Sequence, residues 1–311
     1  MNLAPSPASP RSLVIGEALI DEVRASDGRT SRTPGGSPFN VAIGLARLGV
    51  DVGLLAHIGD DEDGRVLAAR LEADGVTDVG EAHGTSSVAA ARLADDGSAS
   101  YDFQISWDPR PRPETWETPW THVHIGSFTA FFDETLPLLE RALAGSADPL
   151  VTFDPNIRAD LIGEREAAVR RVHELASSAH IVKLSDEDAG WIFPGLPLDD
   201  VATRLLADGP SLVAITRGGE GSLLATAQER VSLKAPRVSV VDTIGAGDSY
   251  MSALAAHVIA RGDSLADYGR DDLAAAGDAA QRAAAITVTR RGANPPTSAE
   301  LSRPARPAAA T

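Results

Sequence analysis

Short apolar, β-branched runs alternate with longer stretches in which apolar residues recur every three or four positions. SLVIGEALI predicts a strand, and FNVAIGLARLG a helix closed by Gly49. DVGLLAHIG and GRVLAARLEADG repeat the pair, with the second helix ending at Gly75. THVHIGSF with ETLPLLERALAG, PLVTFDPN with REAAVRRVHELASS, and HIVKLS with LDDVATRLLADG continue the scheme, which SLVAITRG closes. Alternation at this spacing predicts an α/β fold, a mostly parallel central sheet with helices on both faces. Ligands of such sheets collect beyond the carboxyl ends of the strands. Attention therefore falls on Asp21, His57, Ser127, Asp154, Asn156, Ser185 and Thr216, which end or follow the predicted strands.

One segment breaks the alternation. SSVAAARLADDGSASYDFQIS, at 86–106, has strand-like runs on either side of DDGS, which is hairpin chemistry. With IDEVRASDGRTSRTPGG, at 20–36, it predicts a small antiparallel β-lid projecting from the body. The body itself reads as one domain over 12–300, with no internal repeat and no linker long enough to separate independent units. The tails, 1–11 and 302–311, are rich in Pro, Ala and Ser and are expected to be disordered.

Composition narrows the chemistry. With 43% hydrophobic residues the chain can bury a full core, and a formal net charge of −16 leaves no broad basic footprint for nucleic acid. The same charge repels phosphate ligands, so any phosphate must be held by local dipoles and a few placed cations. The absence of cysteine removes disulfides, thiolate metal sites and cysteine nucleophiles. No apolar run is long enough to span a membrane, and a cytoplasmic location is expected.

VVDTIGAGDSYMSALAA, at 240–256, carries the most specific chemistry. Gly245, Ala246 and Gly247 let a ligand approach the main chain, and the apolar spacing that follows predicts a helix. The loop thus offers unpaired N–H groups at a helix N-terminus, a preformed anion site. Asp248 beside it can accept a proton from an attacking hydroxyl, or it can cap the helix start. An isolated G-x-G-D fits a capped helix at least as well as a phosphate loop. A second glycine turn, PGGSPFNVAIGLARLG at 34–49, enters another helix with Asn40 in its first turns.

Together the two stretches resemble the paired signatures of the ribokinase-type (PfkB) sugar kinases, GG-x(3)-N and DT-x-GAGD-[SA]-[FY]. GEALID, HIGDDEDGR, DPNIR, KLSDED, TRGGEGSL and RRGANPPT follow in the family's order over roughly 12–300. The resemblance implies a ribokinase-like kinase that moves the γ-phosphate of ATP to a sugar hydroxyl. It makes Asp248 the base and the N–H groups of Gly245, Ala246 and Gly247 the anion hole. Asp21, Gly35, Gly36 and Asn40 then hold sugar hydroxyls, with Arg158 reaching the sugar or the phosphate; Arg158 could otherwise pair with Asp160. Thr216, Gly218 and Gly221 fall to the nucleotide, and Asn294 to its base. Where many members carry Asn-x-x-Glu for Mg²⁺, this chain has Ser185 and Asp188, with Asp186 and Glu187 nearby. Asp242 matches the family's monovalent-cation residue, which implies K⁺ beside Mg²⁺ and ATP.

GEALID, DPNIR and HIGS read closest to the fructokinase branch. A 2-keto-3-deoxygluconate kinase, a ribokinase-like kinase and a non-turning-over sugar- or nucleotide-binding regulator are the alternatives. A nucleoside is disfavoured because the chain is only 5% aromatic. A nicotinamide oxidoreductase is disfavoured because the first strand ends in Gly16 alone, without G-x-G-x-x-G. His122 and His124 could share one strand face around a metal, but packing or hydrogen bonding is the preferred reading. Expected partners are the sugar and ATP, with no nucleic acid or membrane. Lids of this kind sometimes pair with their copies, so a homodimer is the assembly considered.

Overall fold

The computed structural model describes residues 10–24, 29–93 and 99–303. In chain order its elements are β1 (Arg11–Ile15), β2 (Leu19–Arg24), β3 (Thr30–Gly35), α1 (Ser37–Arg47), β4 (Asp51–Leu55), α2 (Glu62–Ala73), β5 (Val76–Asp78), β6 (Ser87–Leu93) and β7 (Ala99–Gln104). Then come β8 (His122–Gly126), α3 (Thr135–Ala144), β9 (Leu150–Asp154), α4 (Arg165–Ser178), β10 (Ile181–Ser185), α5 (Asp186–Ile192), α6 (Leu198–Asp208) and β11 (Leu212–Thr216). β12 (Ser222–Ala225), β13 (Arg230–Leu233), α7 (Ala246–Arg261), α8 (Arg270–Thr287) and α9 (Ser298–Leu301) complete the series.

The main sheet has nine strands in the order β13-β12-β11-β10-β9-β8-β1-β4-β5. It is parallel from β5 to β11, and β12 and β13 add an antiparallel edge. Strands covered on both faces bury successive residues in opposite cores. Leu13 and Ile15 of β1 pack with residues of α3–α6, while Val14 joins α1, α2 and α7 on the other face. The order reverses at β1, which lies between β4 and β8, and the crevice at such a point is where open α/β sheets bind ligands.

SLVIGEALI does not run through as one strand. β1 stops at Ile15, Gly16-Glu17-Ala18 crosses over, and β2 joins a second sheet of order β3-β2-β6-β7. This sheet is the expected lid, built from two antiparallel hairpins, β2–β3 and β6–β7. The seam between them, β2–β6, is parallel because each hairpin leaves the body in the same sense. The DDGS turn and the outer parts of both tails lie outside the described residues. Arg11 and Ser302, placed in the tails from sequence, belong to β1 and to the turn after α9.

Candidate active site

The GGSPFN turn and the GAGD loop meet. Gly36 holds φ at 107° as the N-cap of α1, where a Cβ would stand 2.5 Å from the Glu17 carbonyl oxygen. At Gly35 a Cβ would sit 2.0 Å from Asp21 Oδ2, so the missing side chain is the space the Asp21 carboxylate occupies. The turn sends α1 inward: Ser37 Oγ donates to Asp248 Oδ1 at 2.7 Å and Asn40 Nδ2 donates to Asp248 Oδ2 at 2.8 Å.

Gly245, in the left-handed region at φ 74°, is the N-cap of α7, and that helix start has no side-chain cap. The capping role read for Asp248 is therefore absent, because both of its oxygens face α1. The first intrahelical bond runs from Ser249 N–H to the Gly245 carbonyl. The N–H groups of Gly247 and Asp248 precede it and have no intrahelical acceptor. Ala246 N–H, expected in the anion hole, donates to the Thr243 carbonyl at 3.2 Å instead.

Two cavities flank this loop. One, of about 700 Å³, lies between the lid and the carboxyl edge of the sheet; Asp21, Gly36, Asn40, Arg158, Lys183 and Asp248 are among its lining. The other, of about 570 Å³, is lined by Thr216, Gly218, Gly221, Val240, Tyr250 and the α8 residues Ala284 and Ala285, among others. Both include Thr243, Ala246 and Gly247. A polar, carboxylate-bearing cavity thus meets a largely apolar one across a turn of backbone N–H groups.

Burial raises the Asp248 carboxyl above its ordinary range, opposed by the hydrogen bonds from Ser37 and Asn40 and by the charges of Lys183 and Arg158. Asp21 is pushed up to about 6, chiefly by burial, with Arg158 opposing and Asp248 reinforcing the shift. A carboxylate raised yet held by donors is a stronger proton acceptor than a solvated one.

A profile of the pfkB family carbohydrate kinases matches residues 9–300. The chain belongs to that family. A fructokinase from Salmonella typhimurium is 32% identical over 265 residues, covering 80% of this chain and 84% of the relative. A fructokinase from Xylella fastidiosa with bound ATP has a TM-score of 0.83 at 24% identity, covering 94% of this chain and 96% of the other. An aminoimidazole riboside kinase from Salmonella enterica, complexed with aminoimidazole riboside and an ATP analog, gives a TM-score of 0.77 at 27% identity, covering 91% and 95%. The chain is a sugar kinase with the ribokinase-like architecture.

In this kinase most of the residues expected from sequence line one cavity or the other, and five, Gly35, Ser185, Asp188, Asp242 and Asn294, do not. Asn294 is absent from the lining of the second cavity; its Oδ1 accepts from Arg47 Nη1 at 2.6 Å. Ser185 and Asp188 form a capping box on α5: Ser185 Oγ donates to Asp188 Oδ2 at 2.7 Å and accepts from Asp188 N–H at 3.0 Å. Asp188 Oδ1 accepts Ile157 N–H at 2.8 Å, tying the DPNIR loop to α5. Among the described residues no cluster of three or more His, Asp or Glu could hold a metal. Ser185 and Asp188 thus spend their side-chain oxygens on this cap and on the Ile157 N–H. Asp242 accepts from Ile244 N–H at 3.0 Å and Gly292 N–H at 2.8 Å, bracing the loop ahead of Gly245.

Arg158 does not pair with Asp160; it is exposed at the cavity edge and donates to the Ile157 carbonyl. His122 and His124 are buried and hydrogen-bonded to Thr152, and His122 also to Ser12. Burial pushes His122 down to about 3, so this pair is core, as the packing reading expected.

Sequence reasoning assigns no role to several lining residues. Ser37 is the third residue of GGSPFN and carries no signal of its own there. Glu17 is 4% exposed and accepts from Thr129 Oγ at 2.8 Å and from Ser37 N–H at 3.2 Å. Phe103 from the lid and Phe128 give the polar cavity an aromatic wall that a 5% aromatic content hid. Ser127 and Asn156, flagged only as strand-following positions, hold φ at 58° and 36° in the cavity lining. Left-handed non-glycine residues gathered in one lining are the kind of backbone strain that sites retain. Lys183, buried beside Asp154, reads in the sequence only as one residue of a strand.

Proposed function

We propose that this kinase transfers the γ-phosphate of ATP to a hydroxyl of fructose. The observation that carries the reading is the meeting of the two cavities at 243–247, with Asp248 at the junction and fixed by Ser37 and Asn40. ATP lies along Thr216, Gly218 and Gly221 with its apolar part against α8, and its phosphates reach the N–H groups of Gly247 and Asp248. Fructose sits over the sheet edge under the lid, its hydroxyls shared among Asp21, Asn40 and Arg158. Asp248 takes the proton of the attacking hydroxyl as the oxygen–phosphorus bond forms and the bond to ADP breaks. The lid places Leu19, Val23, Ala89 and Ala91 over the cavity, an apolar cover that excludes water from the phosphate.

Magnesium belongs to this scheme as MgATP, the substrate, and no step runs through a metal held by Ser185 or Asp188. Asp242 is the residue offered to K⁺, since its carboxylate already braces the loop leading into the anion turn. A flat riboside is the competing acceptor, favoured by the Phe103–Phe128 wall.

The test is an ADP-release screen over fructose, 2-keto-3-deoxygluconate, ribose and aminoimidazole riboside, repeated with Asp248→Asn. Fructose should give the highest kcat/KM. The Asn variant should keep fructose and ATP binding while kcat falls by about 10²–10⁴. Turnover of no acceptor would favour a binding-only regulator, and near-normal kcat in the variant would remove Asp248 as the base.

A further inference from the structure

Lys183 is one of only two lysines in a chain that otherwise uses arginine for its cations. It lies near the carboxyl end of β10 and is 4% exposed. Its Nζ donates to Asp154 Oδ2 at 2.8 Å, from the end of neighbouring β9. The ammonium also lies directly under the anion turn: a Cβ built on Gly247 would stand 3.0 Å from Nζ. Lys183 lines the same cavity as Asp248, Gly245, Ala246 and Gly247.

An ammonium has three donors, and one is engaged by Asp154. The carboxylates around it, Asp154, Asp188 and Asp248, all favour its charged form and hold its pKa up against burial. Asp154 Oδ1 has no hydrogen-bond partner among the described atoms. A buried ion pair with unsatisfied lone pairs and spare donors is a costly way to stabilise a sheet. Its position, however, is where negative charge gathers as a phosphoryl group passes from ATP toward the hydroxyl facing Asp248. The surrounding chain carries a net charge of −16, so a local cation there has a clear electrostatic task.

We propose that Lys183 is a further catalytic residue of this kinase, whose ammonium donates a hydrogen bond to an oxygen of the transferring γ-phosphoryl group while Asp154 holds it in place. The proposal rests on the kinase reading above. The chemistry balances without Lys183 exchanging a proton. The hydroxyl oxygen bonds to phosphorus, the hydroxyl proton goes to Asp248, and the β–γ bridging oxygen leaves with the electron pair on ADP. Lys183 stays an ammonium throughout, stabilising charge on the non-bridging oxygens.

The experiment compares Lys183→Met with the double variant Lys183→Met/Asp154→Asn, which removes both charges and leaves no unpaired buried carboxylate. With a γ-phosphate contact, kcat falls by about 10²–10³ in the double variant as well, while the KM for fructose stays within about threefold. Affinity for the non-hydrolysable analogue AMP-PNP drops by about tenfold or more, and affinity for ADP does not. A merely structural pair predicts the reverse, recovery of the double variant to within about threefold of wild type, and that result overturns the proposal. So does an equal loss of ADP and AMP-PNP affinity.

A measurement on the unaltered protein covers variants that fail to fold. Protein labelled with ¹⁵N-lysine has only two side-chain ammonium groups, and Lys234 is exposed. The Lys183 signal should shift with AMP-PNP plus fructose and stay put with ADP plus fructose; no difference between the two nucleotides overturns the proposal. A wild-type protein that phosphorylates no sugar fails the kinase reading instead, and this is seen before any variant is made.

Discussion

Glu17 is buried in the lining of the cavity beneath the lid, with its carboxyl pushed up to about 7, chiefly by burial and against hydrogen bonds from Ser127, Thr129 and Ser37. A carboxyl whose folded pKa lies above its unfolded value binds its proton more tightly in the folded state. The stability it contributes is present below about pH 4.5 and is lost as pH rises through about 7. The shift corresponds to about 3 kcal/mol at most. Glu17→Gln should therefore gain stability on the wild type between pH 5 and pH 8, read as the pH dependence of the difference between their urea-unfolding free energies. A difference that does not change over that range would place the Glu17 pKa near that of a solvated carboxyl. Glu17 also explains a limit of sequence reading at the scale of the residue. Asp248, Gly36 and Asn40 are legible because a glycine turn entering a helix is a local pattern with its own chemistry. Glu17, Ser37 and Lys183 owe their roles to neighbours far away in sequence: Thr129 for one, Asp248 for the next, Gly247 for the last.

At the scale of the element, Asp248 depends on how closely α1 crosses α7. Gly44 faces Ser252 there, and a Cβ on Gly44 would come within 2.3 Å of Ser252 Oγ. Interior glycine weakens a helix by roughly 1 kcal/mol, so its use at 44 is explained by the crossing it permits. Gly44→Val should force the helices apart, cost about 1–3 kcal/mol, and lower kcat more than it raises the KM for fructose, because Ser37 and Asn40 would draw back from Asp248. Unfolding curves and initial rates on one preparation check both effects. The lid has its own latch: Arg32 donates from Nη1 and Nη2 to Asp63 of α2 at 2.8 Å each and pairs through Nε with Glu22 at 3.1 Å. Arg32→Ala should raise the KM for fructose several-fold and increase the ratio of ATP hydrolysis to sugar phosphorylation, with little change in melting temperature, since exposed pairs contribute about 0–1 kcal/mol. Most elements could be predicted from periodicity. The break after β1 and the parallel seam of the lid could not, because apolar alternation looks the same whichever sheet a strand joins.

The whole molecule sets a problem that its site must overcome. A chain of net charge −16 repels MgATP, which is itself an anion, at long range, although the anion turn, Lys183 and Arg158 attract it close by. The two contributions respond differently to salt. Repulsion between exposed charges and an approaching ligand is screened over about 10 Å at 0.1 M ionic strength, whereas contacts inside the cavity are screened much less. Raising ionic strength from about 0.01 M to about 0.1 M should therefore increase kcat/KM for MgATP, by roughly two- to fivefold. Fructose is uncharged and feels no such field, so its kcat/KM at saturating MgATP is the internal control and should stay flat. Tetramethylammonium chloride at a fixed K⁺ concentration separates screening from any effect of a cation at Asp242. A fall in kcat/KM for MgATP over the same range would mean that local attraction reaches beyond the cavity and dominates the approach. In that case an outer basic residue such as Arg237, on the nucleotide-side lining, would be the next to neutralise.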